Sequence, residues 1–387
     1  MKVTILSHNL SSNAAMRAHR LAKAAGTFAQ VTMIGPVERR GLWPALPPEA
    51  WIRTVRKRRF PEFWPGFLEL VDAADGDVLI ACKPELASYG VALVAAERRQ
   101  VPVVLDIDDL DVALAPRRAW AADPAMAELS RPGSPVYLSL LTRAAGLASA
   151  ITVVSSALQH RFGGTRISHG TDVEMFDPAR IDRASARQVF GFSGPTTLFP
   201  GIPRAHKGIE TLALAVSRVP SARLVIPCRP ADLAGPDWEG YPLDRIPMVP
   251  YSSLPQLLAA ADVVAIPQSE AEPARYQVPM KVYDAMAMAK PIVASAVSDL
   301  PSILEGCGRL VPAGDVDNLA AAISDLIANP QEARAMGDRA RCRCIERYSM
   351  RRVGEALQQV IDQVAPLGVS DRSAQSTQGP SGEEPAR

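Results

Sequence analysis

Short apolar runs alternate with amphipathic stretches along most of this chain, and the alternation starts twice. The first series reads KVTILSH (2–8), AQVTMIGP (29–36), DVLIACKP (77–84), PVVLDID (102–108), AITVVS (150–155) and TRISHG (165–170), with helical patterns at 13–25, 62–74, 85–99 and 135–149. The second reads TTLFPG (196–201), ARLVIPC (222–228), IPMV (246–249), DVVAIP (262–267), PIVAS (291–295) and GRLVP (308–312), with helices expected at 208–219, 253–261, 280–289 and 299–305. Strands apolar on both faces and separated by helices imply parallel sheets covered on either side. The expected fold is therefore α/β, two tandem Rossmann-like doubly wound domains whose strand ends face a common cleft. Residues 1–170 form the first domain and 171–349 the second. A helix at 350–366 packs back toward the first domain. The Ser/Gly/Pro/Gln-rich tail, 367–387, has little to bury and is expected to be disordered.

Charge excludes some functions. Forty-two basic and 41 acidic residues leave a net charge of +1, so no global field recruits nucleic acid. The few aromatics argue against a base-stacking surface. Five cysteines without metal or redox spacing read as reduced thiols. The first residues have no signal-peptide pattern, and no apolar run approaches the roughly 20 residues that span a bilayer. A cytoplasmic location is expected.

Chemistry concentrates in a few stretches. FPGIPRAHKGIETLALAV (199–216) ends a strand in Pro-Gly, then carries Arg204, His206 and Lys207 just before Gly208 opens a helix. Cations beside a helix N-terminus attract anions, and a diphosphate is the natural occupant. In VPMKVYDAMAMAKPIVAS (278–295), Lys281 and Asp284 lie in the first turn of another such helix. Asp284 there has two oxygens to offer the vicinal hydroxyls of a ribose. Together these features match a nucleoside diphosphate.

The motif order resembles the retaining glycosyltransferases of the GT-B fold, family 4 in particular. FPGIPRAHKGIETL is similar to that family's strand-Gly-loop-Lys-Gly-helix segment. VYDAMAMAKPIVAS is similar to its Glu-Ala-Met-Ala-x-Gly-x-Pro-Val-Val-Ala-Ser, HGTDVEMFDP to its interdomain linker, and CKPELASYG…VPVVLDIDDLD to a bacterial subgroup. The resemblance implies a transferase that moves a sugar from a nucleotide-diphospho-sugar, UDP- or GDP-linked, to a hydroxyl of a glycan, lipid or small metabolite. Retention of configuration, no metal and no cofactor are further implications. Lys207 and Arg204 would neutralise the diphosphate, although Ile202 occupies the family's usual Arg position. Asp284 replaces the ribose-binding Glu, and Tyr276 stands where an earlier acid is usual. Gln277, Val278 and Pro279 would line the donor sugar, with Lys281 beside them and Arg229 and Tyr251 near the base. Ser11, Ser12 and Asn13 replace a Gly-rich loop on the acceptor side, and are also good helix caps. Asp108 stands where a cleft His is common.

Asp106, Asp108 and Asp109 crowd the end of one strand, so at least one carboxyl pKa is expected to rise unless paired. A divalent-cation site and plain capping are the alternatives there. In RTVRKRRFPEFWPGF (53–67), Arg56, Lys57, Arg58, Arg59 and Trp64 suit a peripheral contact with a membrane face. A solvated strand followed by a half-buried helix explains the stretch equally. No G-x-S-x-G elbow or G-x-G-x-x-G opening occurs, which argues against a serine hydrolase and a nicotinamide dehydrogenase. The remaining rivals are a nucleotide-sugar epimerase of the same fold and a degenerate domain that binds a sugar nucleotide without turnover.

Overall fold

The computed structural model describes residues 1–111, 129, 131–233 and 238–365. The expected tail at 367–387 lies outside the described residues. In chain order the first lobe holds β1 (Lys2–Ser7), α1 (Ala15–Ala25), β2 (Gln30–Val37), β3 (Ile52–Arg56), α2 (Phe63–Ala73), β4 (Val78–Cys82), α3 (Val91–Arg99), β5 (Val103–Ile107), α4 (Pro135–Arg143), β6 (Ala150–Val153), α5 (Ser156–Phe162) and β7 (Thr165–Arg166). The second lobe holds α6 (Arg183–Phe190), β8 (Thr196–Leu198), α7 (Ile209–Ser217), β9 (Arg223–Pro227), β10 (Leu243–Ile246), α8 (Leu254–Ala260), β11 (Val263–Ile266), α9 (Glu272–Tyr276), α10 (Lys281–Ala287), β12 (Ile292–Ser295), α11 (Leu300–Leu304), β13 (Arg309–Val311), α12 (Val316–Ala328) and α13 (Pro330–Tyr348). The last helix, α14 (Met350–Val364), packs on α1 of the first lobe.

Both sheets are parallel throughout. Their orders are β3-β2-β1-β4-β5-β6-β7 and β10-β9-β8-β11-β12-β13. In each, the order reverses beside the first strand, which opens a crevice at the carboxyl ends of the strands. The central strands VLIAC, VVLDI and IVAS are buried at every position, as helices on both faces require.

Some local expectations move. The strand expected at 246–249 is β10, three residues earlier, because Pro247 and Pro250 supply no N–H to a ladder. The strand expected at 165–170 stops at Arg166, where the chain leaves for the second lobe. The solvated strand and half-buried helix weighed for the stretch from 53 are β3 and α2, whereas the short helices α5, α6 and α9 were not anticipated.

The lobes join at two passages of the chain, which are bonded to each other. Thr171 N–H donates to the Tyr348 carbonyl at 2.9 Å, and Met350 N–H donates to the Thr171 carbonyl at 3.1 Å. Gly170 has φ +64°, and any Cβ there would run into Val353 of α14. Arg17 of α1, fully buried, holds this junction from inside. Its guanidinium donates to both oxygens of Asp106 at 2.9 and 2.7 Å and to the Ser168 and Ile167 carbonyls at 2.9 and 3.1 Å. A continuous apolar cluster runs from β1 and α1 through Leu357 and Ile361 of α14 to Tyr251 and Tyr283 of the second lobe.

Candidate functional site

A cavity of about 380 Å³ fills the crevice between the two sets of strand ends, within the size range of small-molecule sites. Its second-lobe wall follows from three strand-to-helix turns. After β8, Gly201 leaves room for the Lys281 side chain, where any Cβ would overlap the ammonium. Gly208 has φ +60° and opens α7, a left-handed conformation that favours glycine. Lys207, 8% exposed, precedes it.

Lys207 Nζ donates only to amide oxygens, to Gln268 at 2.9 Å and to Gln277. Burial and the nearby Arg204 pull its pKa down to about 8. Lys281 sits 3.9 Å above the centre of the Phe199 ring, a cation–π contact. Burial, then Lys207 and Arg204, hold its pKa well below the usual lysine value. Arg204 reaches across the cleft to Asn13 Oδ1 at 3.3 Å. Among the described residues none of these three cations has a carboxylate within ion-pair distance. Three positive groups that repel one another line one wall of the cavity. An anion entering it is attracted by all three.

The first-lobe wall is organised by Lys83, which follows β4 with φ +72°. Its ammonium lies 2.6 Å from Asp111, 3.0 Å from Asp109 and 3.4 Å from Asp108. The lysine thus takes the place among the carboxylates that a divalent ion would need. Asp106 is not part of this group. It is tied to Arg17 and to Thr152, whose hydroxyl donates at 2.7 Å. Burial, with Asp109 and Asp111, pushes Asp108 up to about 7 despite Lys83. Its Oδ1 accepts no hydrogen bond. Burial works against ionisation of Asp109 as well, but Lys83 and Gln277 outweigh it and its pKa falls. The expectation of one raised carboxyl in this cluster is met at Asp108. Gln277 spans the cleft, accepting from Lys207 and donating to Asp109 Oδ1 at 2.5 Å.

Several expected site residues stand elsewhere. Asp284 lines the cavity but is only 3% exposed, and neither oxygen is free. Arg20 of α1 donates to them at 2.8 and 2.7 Å, and the Thr171 hydroxyl donates to Oδ1 at 2.7 Å. It is an anchor between the lobes rather than an open diol acceptor. Arg229 is exposed, pairs with Asp232 at 2.7 Å and does not line the cavity. Tyr276 packs on α5 instead, its ring under the Arg161 guanidinium and its carbonyl accepting from Ser155 at 2.8 Å. Ser11 is buried and accepts from the Glu38 N–H at 2.8 Å, so it braces its loop, while Ser12 and Asn13 line the cavity. Val278, Pro279 and Tyr251 line it as expected.

Other lining residues went unforeseen. Lys83, Arg20, His8 and Trp43 face the cavity from the first lobe, and Met248, Val249 and Leu254 form an apolar end in the second. His169, at the junction, bonds the Val278 carbonyl at 3.0 Å. Burial beside Arg17 and Arg20 keeps that ring well below the usual histidine pKa. The tetrapeptide ACKP, with a lysine at the end of an apolar strand beside DIDD, was the available signal for Lys83.

Residues 194–329, the core of the second lobe, match the family model described as glycosyl transferases group 1. Over 104 residues the chain is 38% identical to an MMP α-(1→4)-mannosyltransferase of Mycolicibacterium hassiacum, covering 26% of this chain and 24% of that one. Over 217 residues it is 30% identical to a D-inositol 3-phosphate glycosyltransferase of Mycobacterium marinum, covering 51% and 45%. The chain therefore spans less than half the length of these curated relatives. Among solved structures, sucrose-phosphate synthase from Thermosynechococcus elongatus superposes with a TM-score of 0.69 at 21% identity, over 94% of this chain and 98% of that one. Anabaena HepE in complex with UDP and glucose superposes with a TM-score of 0.69 at 17% identity, over 94% and 99%. The fold is GT-B.

Proposed function

We propose that this chain, whose residues 194–329 match the family model of the group 1 glycosyl transferases, transfers a sugar from a nucleotide-diphospho-sugar to an acceptor hydroxyl. The observation that carries this reading is the wall of three cations without carboxylate partners, Arg204, Lys207 and Lys281. A diphosphate at that wall relieves their mutual repulsion. It also places the departing nucleoside diphosphate where positive charge stabilises it as the glycosidic bond breaks. The apolar end around Met248, Val249, Tyr251 and Leu254 suits a flat base.

The acceptor approaches from the opposite wall. Asp108 lines this wall, its Oδ1 without a hydrogen bond though 3.4 Å from Lys83 and its pKa pushed up to about 7, where a hydroxyl or a developing positive charge would meet it. The two relatives named above are glycosyltransferases, and the Anabaena protein was solved with UDP and glucose. These support a UDP- or GDP-linked donor. Retention, with the leaving phosphate taking the acceptor proton, accords with a donor wall of cations whose carboxylate, Asp284, is held by Arg20 and Thr171. We read the diphosphate charge as neutralised by side chains, because Lys83 already fills the carboxylate cluster. A ribose would reach Asp284 only in competition with Arg20. A chain using such a donor belongs in the cytoplasm.

Thermal shift with UDP, GDP, ADP and CMP, on the wild type and on Lys207→Met, tests the donor site. Ligand at 100 times its Kd adds about 2.7 kcal/mol, a rise of several degrees in a lobe of this size. One diphosphate should shift the wild type and leave the variant unmoved. No shift with any of them would overturn the reading. Free sugar or an epimer released without acceptor would favour the epimerase instead.

A further inference from the structure

We propose that the outer edge of the first lobe docks on an anionic bilayer through Arg56, Arg58, Arg59, Trp64, Leu68 and Leu140. If the transferase reading holds, this contact brings a membrane-borne acceptor to the cleft. Strand β3 is the last strand on that side of its sheet, and the four residues from Arg56 to Arg59 are all exposed. Among the described residues only Lys57 of the four has an acidic partner, Glu38 at 3.3 Å. Arg56, Arg58 and Arg59 thus carry exposed charge with no ion-pair partner among the described residues.

The apolar half of the surface begins at the next residue. Phe60 meets Phe63 at 4.8 Å, Trp64 at 5.3 Å and Tyr137 of α4 at 5.8 Å between ring centres. Phe63 and Phe67 are buried beneath, while Trp64 is 53% and Leu68 43% exposed. Trp64 and Leu68 are four residues apart on α2 and share one stripe. The Phe60–Tyr137 contact brings α4 alongside, where Val136 and Leu140 form a second exposed stripe, Leu140 being 56% exposed. Glu62 and Glu69 of the same region fall on another flank of α2, since successive residues turn by about 100°, and Asp72, one turn beyond Leu68, is paired with Arg98 at 3.4 Å. Tryptophan and leucine bordered by unpaired arginine is the chemistry that an interface of acyl chains and phosphate headgroups selects.

Position connects this edge to the site. Trp64 follows the carboxyl end of β3, at the end of the sheet that faces the cleft, and α4 meets that segment through the Phe60–Tyr137 contact. Lys57 and Asn9 both donate to Glu38, at 3.3 and 3.2 Å. Asn9 adjoins His8, which lines the acceptor side of the cavity.

The test is co-sedimentation of the full chain with phosphatidylcholine vesicles, with and without phosphatidylglycerol. Binding is expected only with phosphatidylglycerol and is expected to fade with salt. Arg56→Glu/Arg58→Glu/Arg59→Glu should lose roughly a hundred-fold or more in partitioning, from about tenfold per 1.4 kcal/mol and about 1 kcal/mol for each cation removed. Trp64→Ser should weaken binding at unchanged salt dependence. Both variants change exposed residues, so circular dichroism and the nucleotide shift should match the wild type. That separates failure of this proposal from failure of the transferase reading. Equal sedimentation of wild type and variants, no sedimentation with phosphatidylglycerol, or a dimer in solution that Trp64→Ser dissociates would each overturn it.

Discussion

Replacing Arg20 with methionine keeps a side chain of similar length in the same buried place but leaves Asp284 stranded. Asp284 would lose donors at 2.7 and 2.8 Å and keep only the Thr171 hydroxyl at 2.7 Å. A hydrogen bond to a charged group contributes about 1.5–3 kcal/mol, and removing one partner of a buried ion pair typically costs about 3–5 kcal/mol. With both side chains at most 4% exposed, solvent screening gives little relief, so Arg20→Met should destabilise the junction by about 3–5 kcal/mol. Asp284→Leu should cost a similar amount, because it strands Arg20. The double variant Arg20→Met/Asp284→Leu buries no charge and should recover most of the loss, a coupling of about 2 kcal/mol or more. Urea unfolding followed by tryptophan fluorescence measures this, with slopes compared so that separate unfolding of the lobes is recognised. A single-variant cost below about 1 kcal/mol, or an additive cycle, would refute the argument. Asp284 would then be open to a ligand after all.

Other consequences are more local. Burial raises Asp108 to about 7, so the folded protein holds that proton more tightly than the unfolded chain. Its contribution is complete below about pH 4 and is lost as pH rises through about 7. The melting temperature of Asp108→Asn relative to wild type should therefore climb between pH 5 and pH 8, and a flat difference would contradict the burial argument. Lys207 is held near 8, so nucleoside diphosphate affinity, read by calorimetry, should weaken as pH passes about 8 and the ammonium discharges. Gly337→Ala would push a methyl into the Ala289 carbonyl, where backbone cannot yield. A loss of about 1–3 kcal/mol is expected in thermal unfolding. Gly201→Ala meets only the movable end of Lys281, so it should leave the melting temperature within a degree or two while weakening nucleotide binding.

The sheets were legible because every central strand is apolar on both faces, a pattern fixed within a few residues of chain. Lys207, Arg204 and Lys281 were legible because strand-to-helix turns carry their own local grammar of glycine and cation. Arg17 and Arg20 were not. In AMRAHRLAKA they read as the wet face of a helix, yet Arg17 turns onto Asp106 of β5 and Arg20 onto Asp284 of the second lobe. Lys83 was equally hidden, since it acquires its meaning from three aspartates more than 20 residues away. For Asp284 the position near a helix start was plain, but the arginine that holds its carboxylate comes from 264 residues upstream and was not.

The paired passages at Thr171 and Ser349 set the mechanics of the cleft. A door hung on one pin swings and also twists. Hung on two pins fastened to each other, it keeps a single axis. Ligands can thus change how wide the cleft stands, but not which atom of one wall faces which atom of the other. The facing of the two walls is then a property of the frame, and the loops that line the cleft are what remain free to vary around it.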